Sequence, residues 1–203
     1  HATHGRDGGH ALERAGAGMT QELALFPLNQ VLYPGGGLPL RVFELRYRRL
    51  LEECGRTQPF GLVRIRYGQE VGDAAFPYDI GCAAYVVQRV ALVDGSLAIE
   101  VVGDRRFRIA SLRVEEDGLT RAAVEWLPPD PWVTVPPHLK PVADSFSECG
   151  ERIEDAGSLA WRLAEALPMS LDEQQRLLEE NDPALRLHRV KDWLMRHPDD
   201  FVA

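Results

Sequence analysis

A chain of 203 residues is long enough for one substantial core, or for a β module with a helical appendage. With 45% hydrophobic and 27% charged residues it has the composition of a soluble globular chain, and no apolar run approaches the roughly 20 residues of a membrane span. The net charge of −8 argues against a nucleic-acid surface: residues 22–128 hold 14 acidic and 13 basic side chains and residues 140–203 hold 14 and 8, so neither part has a basic excess.

Residues 1–21 are rich in Gly, Ala and His (His1, His4, His10), lack periodicity and read as a leader ahead of the fold. From Leu25 to Cys54 the pattern is a short strand, a turn at Pro34-Gly35-Gly36-Gly37, a second strand and a helix. Pro27, Pro34 and Pro39 lack a backbone donor and belong at strand ends, edges or turns. Phe43, Tyr47, Leu50, Leu51 and Cys54 share one helical face, and Glu44 and Arg48 are spaced to support the helix from outside. Phe60–Tyr67 alternates as a strand, Gly68–Asp79 is a polar connection, and Cys82–Val93 is a long strand that ends at the hairpin signal Asp94-Gly95. Leu97, Ile99 and Val101 alternate in the return. Gly103-Asp104 reads as another turn, leading into Phe107–Glu115, and Asp117-Gly118 as a hairpin into Arg121–Leu127. Short turns between consecutive strands imply a largely antiparallel, strongly curled sheet. Residues 129–141 lie in a run with six prolines and read as a stiff linker, fastened by Trp132 and Val133. Residues 142–203 then turn helical: one helix through Ile153, Ala160 and Leu167, a second opened by the Ser170/Glu173 capping box, and a third opened by Asp182-Pro183. The fold class is α+β.

Several of these pieces resemble a known family. Leu25-Phe26-Pro27-Leu28, Val31-Leu32-Tyr33-Pro34-Gly35, Leu38-Pro39-Leu40 and Val42-Phe43-Glu44-Leu45-Arg46-Tyr47-Arg48 follow the opening of the N-terminal, substrate-binding domain of Lon proteases. The segments from Gly81-Cys82 and from Gly103 to Ile109 and the C-terminal run QRLLEENDPALRLHRVKDWL follow it too. The resemblance covers Glu22 to Leu194. It implies a PUA-like pseudo-barrel over residues 22–128 with a helical bundle after it. It also implies a non-catalytic module that recognises unfolded or extended polypeptide, or a protease or chaperone partner. No cofactor is expected, and the lack of an apolar span together with three widely spaced cysteines reads as a cytoplasmic chain with no membrane partner.

The sequence carries little that points to chemistry. No glycine is followed by lysine, so there is no phosphate-cradling P-loop, and Lys140 and Lys191 lie outside any motif like a serine–lysine peptidase dyad. Cys54, Cys82 and Cys149 are an odd, widely spaced set, which fits free thiols in a reducing compartment; pairing with His138 or His188 is the thiol-enzyme alternative. No paired C-x-x-C offers a zinc site. The resemblance puts weight on Arg46, Tyr47, Arg105, Arg106 and Phe107, to which Phe60 is added as a polypeptide-binding candidate. Two readings stand: aromatics facing inward with arginines tying down loops, or an apolar floor with an arginine rim that receives a polypeptide. An RNA- or nucleotide-binding module, and a small-ligand sensor or hydrolase using the barrel cleft, are the alternative functions.

Overall fold

A computed structural model describes residues 20–201, so the leader and its three histidines lie outside the described residues except for Thr20 and Gln21. The strands are β1 (Gln21–Leu28), β2 (Gly37–Val42), β3 (Phe60–Tyr67), the two-residue β4 (Phe76–Pro77), β5 (Ile80–Ala91), β6 (Leu97–Val114) and β7 (Thr120–Trp126), with helix α1 (Leu45–Glu53) between β2 and β3. After the proline-rich segment come α2 (Lys140–Ser147), α3 (Ala156–Ala166), α4 (Leu171–Glu179) and α5 (Pro183–Arg196), with 3-10 turns at Pro137–Leu139 and Pro198–Phe201.

Most pairings are antiparallel, and both Asp-Gly hairpins form, with Gly95 and Gly118 at φ +86° and +90°. Only glycine takes such angles without strain. The exception is β1. Its first half pairs antiparallel with β7 (Gln21↔Val124), while its second half runs parallel to β3 (Leu25↔Gly61). The strands therefore close on themselves in the order β1-β7-β6-β5-β3-β1. β2 stands outside this ring and pairs with β6 alone, which leaves Pro39 on an edge strand where its missing donor is tolerated.

Gly103-Asp104 is not a turn. β6 runs without a break through it, bent by a bulge in which three steps on β6, from Gly103 to Arg106, oppose two on β5, from Ala84 to Cys82. Glycine is required at 103 because a Cβ would lie 2.2 Å from the Tyr33 carbonyl oxygen. The β1–β2 turn sits directly on it, with hydrogen bonds from Gly35 N–H to Gly103 O (2.7 Å) and from Gly103 N–H to Gly36 O (2.9 Å).

Phe43 precedes α1 and is 52% exposed, so it does not share the buried face of Tyr47, Leu50 and Leu51. Glu44 is the residue before the helix and pairs with Arg46 at 3.1 Å, while Arg48 reaches the Gly95 carbonyl instead. Val133 packs against the helices, but Trp132 is 66% exposed and fastens nothing. The proline-rich segment also ends in a helix that periodicity missed, α2, begun by Pro141 within its first turn.

One hydrophobic core runs through strands and helices alike. It joins Phe26, Tyr47, Phe60, Leu62 and Ile99 to Trp161, Leu177, Leu178, Val190 and Trp193. Tyr33 stacks on Trp161 with ring centroids 5.1 Å apart. Polar ties cross the same interface: Gln175 Nε2 donates to Ile80 O (3.0 Å), Arg162 to Pro34 O (3.0 Å), and Arg64 pairs with Asp172 (2.8 Å). A second cluster, around Leu25, Val63, Phe107 and Val124, lies on the other side of the β1–β3 pairing.

Candidate functional site

Five of the six residues singled out from the sequence are buried, and each has a structural task. Arg46 donates to the Gly118 carbonyl (3.2 Å) and so ties α1 to the β6–β7 hairpin. Tyr47 stacks on Phe26 at 4.1 Å, beside Phe60, and burial pushes its phenol up to about 12. Phe107 fills a slot made by Gly61 and Gly81, where a Cβ on either glycine would lie within 2.8 Å of its ring. Arg106 donates to the Leu178 carbonyl (2.8 Å), fixing the end of α4. The structure brings Arg105, Arg106 and Phe107 together as neighbours on β6, and Tyr47 with Phe60 in the core; these groups form no common groove. Arg105 alone is exposed. Its guanidinium lies over the Trp126 ring at 4.8 Å and has no hydrogen-bond or ion-pair partner among the described residues.

A cleft of about 540 Å³ opens beside it, between the β1–β2 turn, the β6 bulge, the proline-rich segment and α3. Its walls carry charge of both signs, but that charge is mostly satisfied within the protein. Asp130 accepts from the fully buried Arg186 (2.7 Å), which also lies 3.6 Å from the centre of the Trp161 ring. Arg162 pairs with Glu165 (2.8 Å), and Asp155 caps α3 through Ser158 N–H (3.1 Å). Such a site does not converge polar groups on a reacting atom. Cys82 is fully buried, its thiol pushed up to about 12 by burial, and no group of three metal-ligating side chains occurs among the described residues.

The exposed apolar surface lies elsewhere, on an arm formed by the far halves of β5 and β6 together with β2. β3 covers the outer side of β5 only from Cys82 to Ala84, and Val86 N–H reaches Gly55 O (3.1 Å); residues 87–91 have no strand neighbour on that side among the described residues and are all exposed. Val87, at 50%, and Val90, at 47%, thus leave apolar side chains in water, with Leu92 and Val93 beyond them. On one face of the arm Pro39, Val90, Leu92 and Ala98 line a shallow groove of about 420 Å³, with Arg41 and Glu100 among its polar residues. Phe43 and Leu45, both exposed, follow Val42 where it pairs with Leu97 at the arm's end.

Several contacts tie the strands together at the tip of the arm. Asp94 accepts from the Ser96 hydroxyl (2.6 Å) and amide (3.0 Å) and pairs with Arg41, contacts that hold its carboxyl below the usual range, and Arg48 donates to Gly95 O. Sequence reasoning missed this surface because an apolar run on both faces of a strand also describes a buried strand. The available signal was that the run VVQRVALV leads straight into the Asp94-Gly95 turn, where a hairpin leaves the body.

The described residues form a ring of strands with helices docked against it and an exposed apolar arm beside it. Residues 22–196 match the family model for the ATP-dependent protease La (LON) substrate-binding domain, and the chain belongs to that family. Its sequence is 30% identical over 196 residues to Lon protease 2 of Myxococcus xanthus, covering 87% of this chain and 24% of that protein. It is 32% identical over 116 residues to Lon protease 2 of Syntrophobacter fumaroxidans, covering 56% of this chain and 15% of the relative. The chain thus spans about a quarter or less of these proteases. The crystal structure of a Lon N-terminal domain protein from Xanthomonas campestris superimposes with a TM-score of 0.73 and 36% identity, over 85% of this chain and 98% of that one. The N-terminal domain of a Mycobacterium avium complex Lon protease gives 0.62 at 17% identity, a likeness of fold alone. No helix among the described residues is long and apolar enough to cross a membrane.

Proposed function

We propose that the chain is a non-catalytic polypeptide-recognition module that binds unfolded or extended protein segments through the arm and presents them for proteolysis or quality control. The observation that carries this reading is the exposed apolar surface of the arm, from Val87 through Val93, on a hairpin whose own contacts tie its strands together at the tip. Exposed valines and leucine gain from burial against another chain's side chains, at roughly 25 cal/mol per Å² of apolar surface covered. A preformed surface loses little entropy on binding. Arg105, with no polar partner among the described residues, extends the same reading to the rim of the cleft, where a guanidinium engages backbone carbonyls or carboxylates. Family membership points the same way. The ring of strands supports a PUA-like pseudo-barrel over residues 22–128, and the helices after the 129–141 linker a bundle. Three free thiols fit a cytoplasmic setting.

One observation favours the RNA alternative: Arg66 lies over the rings of Tyr67 (5.4 Å) and Tyr78 (5.6 Å) near the exposed Phe76, an arrangement of the kind on which bases stack. The acidic balance of the chain opposes it. Fluorescence anisotropy against a labelled, permanently unfolded polypeptide, with a labelled RNA of similar mass beside it, separates the two. Saturable binding to the polypeptide supports the proposal; binding to RNA alone, abolished by Arg66→Glu, replaces it.

A further inference from the structure

We infer that recognition at the arm is made by main-chain pairing: an extended polypeptide adds as a new strand to the open edge of β5 between Gln88 and Ala91, beyond the bulge at Val87. This rests on the polypeptide-recognition reading and names its mode.

The hydrogen-bond register supplies the argument. Leu92 N–H donates to Ser96 O (2.9 Å), and Val90↔Ala98 and Gln88↔Glu100 continue the same register down the hairpin. In an antiparallel ladder hydrogen-bonded pairs alternate with non-bonded ones, so residues 88, 90 and 92 turn their N–H and C=O groups toward β6. The main-chain groups of Arg89 and Ala91 therefore face outward, and no partner covers them among the described residues. The opposite edge of the arm differs. There β2 presents Pro39, which has no donor, as natural edge strands do when pairing is blocked. Of the arm's two edges among the described residues, the β5 edge is the one with no proline to interrupt its donors.

Charge decides between the occupants of such an edge. Arg89, on the strand, and Arg56, next to the Gly55 carbonyl that closes its upper end, are exposed and have no ion-pair partner among the described residues. A second copy of this chain, paired antiparallel about a two-fold axis, would set Arg89 against Arg89 with the axis at residue 89, or place the two Arg89 diagonally, about 7–8 Å apart and within reach of long side chains, with the axis at residue 90; like charges so placed repel. A foreign segment with acidic or neutral side chains meets no such penalty. The occupant is thus an extended, apolar-alternating polypeptide with acidic rather than basic polar positions.

The test uses a fluorescein-labelled peptide of alternating valine and threonine with one central glutamate, titrated against the full chain. A version N-methylated at alternate residues keeps every side chain and removes main-chain donors; methylation is placed in each of the two parities. Strand addition predicts that one parity weakens binding about tenfold or more and the other much less. Ala91→Pro removes an outward donor without touching the ladder to β6 and should give a similar loss; its melting curve shows that the fold persists. Equal binding of parent and both methylated peptides, undiminished binding by Ala91→Pro, no binding of the peptide at all, or dimerisation of the chain through this edge would each overturn the inference. An accompanying titration with the unfolded polypeptide shows whether such a failure concerns only the mode or the recognition reading as well.

Discussion

At the scale of single residues, the side chains that the family pattern emphasises are mostly parts of the scaffold. Gly103 shows this best. Alanine there would drive a Cβ into the Tyr33 carbonyl, a backbone atom that cannot swing aside. Gly103→Ala is expected to destabilise the chain by more than about 3 kcal/mol, read as a fall in melting temperature. Asp130→Ala is expected to cost about 3–5 kcal/mol, since it strands the fully buried Arg186 without its carboxylate partner. Thiol reactivity follows exposure: under native conditions Cys149 should be alkylated first, the half-buried Cys54 later, and Cys82 only on unfolding. Mass spectrometry of a timed iodoacetamide reaction gives the order; early labelling of Cys82 would contradict the buried placement.

At the scale of elements, local signals were legible and non-local ones were not. The two Asp-Gly hairpins, the Ser170/Glu173 capping box and the Asp182-Pro183 helix start are written within a few residues and appear as read. Gly103 was misread because a glycine needed for a turn and one needed for a passing loop look alike along the chain. The parallel pairing of β1 with β3 and the docking of α4 against Ile80 depend on partners far away in sequence, and no spacing announces them. The arm was hidden for a related reason: hydrophobic periodicity reports which residues are apolar, not whether the body extends far enough to cover them.

One element-level prediction concerns pH. Glu115 accepts from Arg121 (2.5 Å) and Arg49 (3.0 Å), and Asp117 from Arg49 (2.8 Å), which joins α1 to the β6–β7 hairpin and holds both carboxyls below their ordinary range. A depressed folded-state pKa stabilises at pH above the unfolded value, about 4, and that stabilisation disappears as pH falls through the folded value. Stability should therefore drop below about pH 4, and Glu115→Gln should show a shallower drop in melting temperature over the same window.

At the scale of the whole molecule, the main hydrophobic cluster joins strands to helices, with smaller clusters within the strands and among the helices, so the chain should unfold in a single cooperative transition, with near-ultraviolet and far-ultraviolet circular dichroism melting together. The proposed function places the partner's site on the arm. The most direct measurement of that claim is the anisotropy titration against a permanently unfolded polypeptide, made with the native chain and with the double variant Val90→Ser, Leu92→Ser. Both substituted side chains are partly in water, so the variant should keep its melting temperature within a few degrees. The account predicts saturable binding by the native chain and at least tenfold weaker binding by the variant, from loss of two apolar contacts of about 1 kcal/mol each. Equal affinity of the two proteins for the polypeptide would contradict it and move the recognition surface away from the arm.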